Sequence, residues 1–209
     1  MAGKDLEKEL REVLTHLRDY VSIPIGISNR HIHLSEEDFQ LLFPGQEVEI
    51  LKELTQPGFY AAQQTVTLVG SRGRLEKVRL LTPLRKQTQV ELSATDARTI
   101  GLAAPIRLSG QLADAIEIEI RSAAASIKRP AAIIAKRHIH MNPRDAQLLD
   151  LSAGDQVKIV IDTPERRTIY DDVIIRPSEG AVLELHIDTD EANAANCGSD
   201  TVARFYKES

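Results

Sequence analysis

The string Arg-His-Ile-His occurs twice in this 209-residue chain, at residues 30–33 and 137–140, each time at the same point of a longer repeated pattern. From Ile25 to Ile50 the chain reads IGISNRHIHLSEEDFQLLFPGQEVEI, and from Ala131 to Ile161 it reads AAIIAKRHIHMNPRDAQLLDLSAGDQVKIVI. Both segments run through an apolar strand, the motif, one apolar residue, a helix start, Leu-Leu, a glycine turn and a further strand. A supersecondary unit present twice predicts two related domains. The helix starts have local causes. Ser35 is an N-cap with Asp38 three residues on; Asn142 is an N-cap followed by Pro143, with Asp145 three residues on.

Outside the repeat, short apolar runs rich in β-branched residues alternate with turn residues. They fall at 23–27, 47–51, 65–69, 77–81, 88–92, 106–109, 116–120, 132–135, 156–161, 168–176 and 182–187, punctuated by Gly70, Gly73, Pro83, Gly101, Gly154, Pro164 and Gly180. No regular strand–helix alternation appears, so small barrels or sandwiches fit better than a parallel α/β sheet. The expected fold is mainly β with short capping helices. Residues 1–22 form an N-terminal extension, 23–125 a first domain and 126–209 a second, with the strand near 23–33 able to pack in the second. Arg121–Pro130, with its Ala-Ala-Ala-Ser, reads as the connection between them. Within the extension, Leu6, Leu10, Val13, Leu14 and Leu17 share one face of an amphipathic helix over residues 5–20, and Pro24 ends it. His16 on its charged side is given no role.

Composition excludes several function classes. Trp is absent and aromatic residues make up 4 % of the chain, which disfavours stacking on nucleic acid. A net charge of −5 with both signs interspersed gives no basic footprint. No apolar run reaches the length of a membrane span. The single cysteine, Cys197, allows no disulfide within the chain, and the charged start Lys4–Glu9 does not resemble a signal peptide. A cytoplasmic protein without nucleic-acid or membrane partners is expected.

The chain has six histidines. His31 and His33, like His138 and His140, are His-x-His pairs at the end of apolar strands. Residues i and i+2 of a strand share a face and lie roughly 6.6 Å apart, so two imidazoles can converge on one ion. His186 lies in Val182–Asp188 on one face with Glu184 and Asp188. Five imidazoles suit zinc or another borderline metal. Two sites that each keep an open position need about six protein ligands. The sixth donor should be an oxygen from a strand; Glu91 is the candidate, with Glu184 and Asp188 in competition.

Six ordered motifs then bring a family into view. They are Ile25–Leu34, Gln56–Ala62, Thr65–Gly70, Pro83–Ser93, Arg137–Met141 and His186–Ala194, spread from about residue 23 to 196. Together they resemble the propanediol-utilisation type phosphotransacylases, also called phosphate propanoyltransferases. The resemblance implies two β-barrel domains capped by short helices, and two zinc ions per chain. It implies that His31, His33 and Glu91 hold the zinc that meets the coenzyme A sulfur, and that His138, His140 and His186 hold the second, facing water or phosphate. Arg85 matches the phosphate-binding arginine; without the resemblance, a solvated charge beside Lys86 would be the preferred reading.

The implied reaction converts a short acyl-coenzyme A, propanoyl or acetyl, plus phosphate into acyl phosphate plus coenzyme A. A homo-oligomer is expected. In microcompartment-housed relatives an amphipathic leading helix directs cargo into the shell, and residues 5–20 have that character. One departure stands out: Gln111-Leu112-Ala113-Asp114-Ala115 replaces an acidic residue and a Gly-Ser pair, which puts the loop's contact with coenzyme A or a neighbouring subunit in question. Competing readings are a zinc thioesterase, which needs no phosphate grip at Arg85, and a non-catalytic metal-binding scaffold. Cys197, with no histidine adjacent in sequence, reads as an ordinary thiol.

Overall fold

A computed structural model describes Glu9 and residues 13–207. Among these residues the chain forms two compact units, one of residues 28–136 and one that combines the N-terminal 27 residues with 137–209. The second unit is therefore interrupted by the first.

The unit of residues 28–136 contains β2 (His31–His33), β3 (Ile50–Glu53), β4 (Tyr60–Val69), β5 (Arg74–Thr82), β6 (Gln89–Leu92), β7 (Ile106–Arg107), β8 (Ile116–Arg121) and β9 (Ser126–Ala135). The order β4-β5-β2-β6-β9 closes through β8, which pairs with both β9 and β4 and so makes a six-stranded barrel. β3 and β7 extend it at its margins. The other unit contains β1 (Ile23–Ser28), β10 (His138–Met141), β11 (Gln156–Ile161), β12 (Thr168–Pro177), β13 (Glu184–Asp188) and β14 (Val202–Phe205), closed in the order β1-β13-β10-β12-β11-β14. The mainly β, two-barrel expectation matches this architecture.

Four short helices cap the strands: α1 (Glu36–Leu42), α2 (Ala94–Thr99), α3 (Pro143–Leu148) and α4 (Thr189–Ala194). Each begins where a side chain captures a free backbone N–H. Ser35 accepts from the Asp38 amide, Ser93 from the Asp96 amide and Asn142 from the Arg144 amide, with Pro143 at the first turn. Asp188 and Glu191 form a reciprocal capping box on α4. After α1 and α3 the chain turns at Gly45 (φ 71°) and Gly154 (φ 88°), left-handed positions that favour glycine.

The repeat is legible in the pairing. β2 lies parallel to β5 and antiparallel to β6, as β10 lies parallel to β12 and antiparallel to β13. The central Ile32 and Ile139 point away from the flanking histidines and are fully buried. Each anchors its motif in the core of its own barrel, beside Leu80 and Val90 in one and Ile175 and Leu185 in the other. Burying such a side chain stabilises the fold by about 1.5–3 kcal/mol.

Arg121–Pro130 is not a connection between domains. It is the turn and adjoining strands of the β8–β9 hairpin, and β9 also pairs with β6 and β7. Its Ala-rich turn is built by Ser122, whose hydroxyl bonds the Leu42 carbonyl and accepts from the Ala124 and Ala125 amides. Of the leading helix expected over residues 5–20, residues 13–17 are helical, followed by a 3-10 turn at Arg18–Tyr20; Leu6 and Leu10 lie outside the described residues. Arg18 anchors this segment through the Leu149 and Asp150 carbonyls. No helix among the described residues is long and apolar enough to cross a membrane.

Candidate metal centres

In the first barrel the antiparallel register of β2 and β6 sets His31 opposite Glu91 and His33 opposite Gln89. Because alternate residues share a face, these four side chains form a two-by-two patch. His31 Nε2 lies 3.5 Å from one Glu91 carboxylate oxygen and His33 Nε2 lies 4.0 Å from the other. His31 Nδ1 lies 2.8 Å from the Asn29 carbonyl oxygen, which can only accept, so that nitrogen carries the proton and Nε2 turns toward the carboxylate. All three groups are buried.

Burial alone would lower the His31 pKa, but the Glu91 carboxylate overcomes it and raises it. Burial, the neighbouring His31 and the Arg85 charge hold His33 well below its usual value. For Glu91, burial pulls upward, and His31, His33 and Arg85 outweigh it and hold the carboxyl far below the carboxylate range.

The second barrel repeats the patch with a different occupant. The register of β10 and β13 sets His138 opposite His186 and His140 opposite Glu184. His138 Nε2 and His140 Nε2 are 3.0 Å apart, and the His186 ring centroid lies 5.2 Å and 4.6 Å from theirs. Burial, then the neighbouring His138, His186 and Arg176, push the His140 pKa down to about 3, so its ring is neutral at physiological pH.

Both groups gather three donor atoms within 4.8 Å of one another. Their chemistry fits zinc: two imidazoles and a carboxylate in one, three imidazoles in the other, each set leaving a fourth position open as catalytic zinc sites do. The His33 ring is buried, and Nε2 is the nitrogen that turns toward Glu91.

The competitors for the sixth ligand have other places. The Asp188 carboxylate caps α4 through the Glu191 amide, and Glu184 lies 2.7 Å from His186 Nε2. Arg85, half-buried, donates from its backbone to the Leu34 carbonyl and from Nη1 to Ser109 Oγ, 2.9 Å away, and its charge acts on His31, His33 and Glu91 alike. Lys86, by contrast, is exposed. In the departing loop, Asp114 pairs with Arg107. Cys197 is half-buried against the second core, and burial pushes its thiol up. His16 lies 3.1 Å from Asp19.

Ser109 and Gln89 were not singled out from the sequence. The signal for the second was available: Gln89-Val-Glu-Leu-Ser-x-x-Asp-Ala aligns with Glu184-Leu-His-Ile-Asp-x-x-Glu-Ala, which places Glu91 against His186 and Gln89 against Glu184. The same alignment explains the arginine of each motif. Arg30 pairs with Asp96 and Arg137 with Glu191, in each case three residues beyond the helix cap.

The model of the phosphate propanoyltransferase family matches residues 24–198, a span that includes both patches. The chain belongs to the phosphate propanoyltransferase family. It is 53 % identical over 196 residues to the phosphate propanoyltransferase of Shewanella putrefaciens, covering 93 % of this chain and 92 % of that one. The Salmonella typhimurium enzyme of the same name is 51 % identical over 203 residues, covering 97 % and 95 %. That of Limosilactobacillus reuteri is 49 % identical over 197 residues, covering 92 % of each.

Proposed function

We propose that this phosphotransacylase moves a short acyl group, propanoyl or acetyl, reversibly between coenzyme A and phosphate, with zinc bound at both clusters. Family membership supports the acyl and phosphate chemistry. The observation that carries the metal reading is the matched pair of three-donor groups at equivalent registers of the two barrels.

A phosphate oxygen attacks the thioester carbonyl carbon, the new C–O bond forms, the C–S bond breaks and coenzyme A departs as a thiolate. Zinc, when bound, supplies positive charge that stabilises a departing thiolate and a developing oxyanion. His31, His33 and Glu91 would hold it in the first barrel, and His138, His140 and His186 in the second. The low pKa values of His33 and His140 keep both rings neutral, with a lone pair ready to donate, at physiological pH. Arg85 grips phosphate through parallel N–H bonds, which a point-charge lysine does poorly. Its bond to Ser109 fixes the guanidinium before phosphate arrives, so little ordering is left for the moment of reaction. Cys197, a thiol with a raised pKa, takes no covalent part.

Release of coenzyme A from propanoyl-, acetyl- and butanoyl-coenzyme A by the purified protein, with and without phosphate, tests the reaction. Phosphate-dependent release that yields acyl phosphate is expected; equal release without phosphate would mean hydrolysis. The reading extends to location. Val13 and Leu17 are exposed, and the leading segment fits a docking helix for a microcompartment shell. Deleting residues 1–20 should abolish co-purification with shells and leave the chemistry intact; retained encapsulation dismisses this role.

A further inference from the structure

The fourth corner of each patch is filled by a different residue, Gln89 in the first barrel and Glu184 in the second. Both precede the third ligand by two residues and both stand opposite the second histidine of the motif. Gln89 is fully buried. Its Nε2 donates to Glu91 Oε1 at 2.5 Å and to Ser109 Oγ at 2.8 Å, while its Oε1 accepts from the Gly110 amide at 2.7 Å. All three bonds together fix which way the amide faces. Glu184, also buried, has a carboxylate oxygen 2.7 Å from His186 Nε2. The pairing is complementary. Where the third ligand is a carboxylate, its neighbour is a donor; where it is an imidazole, its neighbour is an acceptor.

Gly26 supports a built site in the second barrel. A Cβ at this position would come within 2.8 Å of Glu184 Oε1 and 2.9 Å of His186 Cδ2. The strand β1 runs past without a side chain here, and the Glu184–His186 pair occupies the space. The two patches also balance in charge, since each contains a single carboxylate, placed at the ligand position in one and at the fourth corner in the other.

We propose that Gln89 and Glu184 are positioning residues, each orienting the third metal ligand of its cluster through a hydrogen bond along the strand. Glu184 accepts the Nε2–H of His186, which leaves Nδ1 as the nitrogen with a lone pair for metal. Gln89 turns one oxygen of Glu91 and joins that ligand, through Ser109, to the arginine assigned to phosphate. An outer partner of this kind raises metal affinity by roughly ten- to a hundredfold. The proposal rests on the reading that both clusters bind zinc.

The test is stepwise zinc affinity of the full-length protein by chelator competition, alongside circular dichroism to establish folding. Glu184→Ala should weaken one zinc by roughly ten- to a hundredfold and leave the other at wild-type affinity. Glu184→Gln, whose amide oxygen still accepts from the imidazole, should recover most of that loss. Gln89→Met, which cannot donate, should weaken the other zinc and raise the KM for phosphate more than it lowers kcat. Wild-type affinity in Glu184→Ala overturns the proposal. So does a Glu184→Gln loss as large as that of His186→Ala, which would make Glu184 a direct ligand. If Glu184→Ala does not fold, Glu184→Gln and Gln89→Met decide alone. A wild-type protein that takes up no zinc overturns the metal reading beneath, a result distinct from variants that match a zinc-loaded wild type.

Discussion

The two barrels build a patch of four side chains on the same strand arrangement, yet they place its one carboxylate at different corners and anchor the motif differently. In the first, the cross-strand partner of the leading histidine is a carboxylate, and the Arg85 amide closes on Leu34, the residue after the motif. In the second the partner is an imidazole, and the backbone N–H that closes on the residue after the motif belongs to Ser178 where the first barrel has Arg85. The motif arginines differ as well. Arg30 is exposed and bonds Asp96 at 2.9 Å, whereas Arg137 is half-buried, bonds Glu191 and Asp172, and stacks over Tyr170. The shared scaffold thus converges three donor groups in each barrel and leaves each its own electrostatics: a carboxylate and the Arg85 charge beside two imidazoles in one, three imidazoles in the other.

The largest expected effect probes what only the first barrel has. Arg85→Ala should lower phosphate-dependent turnover by about a hundred- to a thousandfold, the cost of losing one preorganised charged donor, with zinc content at the wild-type level. Unchanged rates would remove Arg85 from the phosphate site and erase this asymmetry.

Anchoring of the two motifs comes next. Arg137→Ala should destabilise by roughly 1.5–3 kcal/mol, because it leaves partly buried carboxylates without their donor, and Arg30→Ala by less than about 1 kcal/mol. Chemical denaturation of both variants measures this, and equal losses would show the anchors to be equivalent.

A smaller effect separates the clusters by proton release. His31 has a raised pKa, so a protonated fraction persists above the usual histidine range, and a metal must displace that proton. In a His138→Ala background, calorimetric zinc titration near neutral pH should release up to about one proton and weaken as pH falls. In the complementary Glu91→Ala background His140, with a pKa of about 3, contributes no such proton. Heats independent of buffer in the first case would contradict the assignment. The smallest effect is none: Cys197→Ser changes a side chain packed against the second core and should leave activity intact, whereas an inactive variant would reopen covalent catalysis.

What could be read from the chain alone followed the range of the interactions involved. The Ser35 and Asn142 caps and the glycine turns are local features and appear where the spacing placed them; the His-x-His pairs share a face as their spacing requires, but on short strands of their own, β2 and β10, rather than at the ends of β1 and β9. Strand partners are not local. β14 has four residues and closes the second barrel only by pairing with β1 and β11 from distant parts of the chain, so no run of its own announces it. The β8–β9 turn looked like a linker because its alanines and serine are common to both; the bonds made by Ser122 distinguish them. β3 falls at Ile50–Glu53 rather than at 47–51 because its register on β4 is irregular and all four residues are exposed, so no buried face fixed it. Among the site residues, Glu91 could not be separated from Glu184 and Asp188 by composition; the family resemblance singled it out, and strand pairing, which is not local, sets it opposite His31.

Zinc content by elemental analysis of the purified protein and of two variants tests the central claim most directly. The account predicts about two zinc ions per chain in the wild type and about one in each of His138→Ala and Glu91→Ala. A wild type without zinc, or variants that keep the full complement, would contradict it.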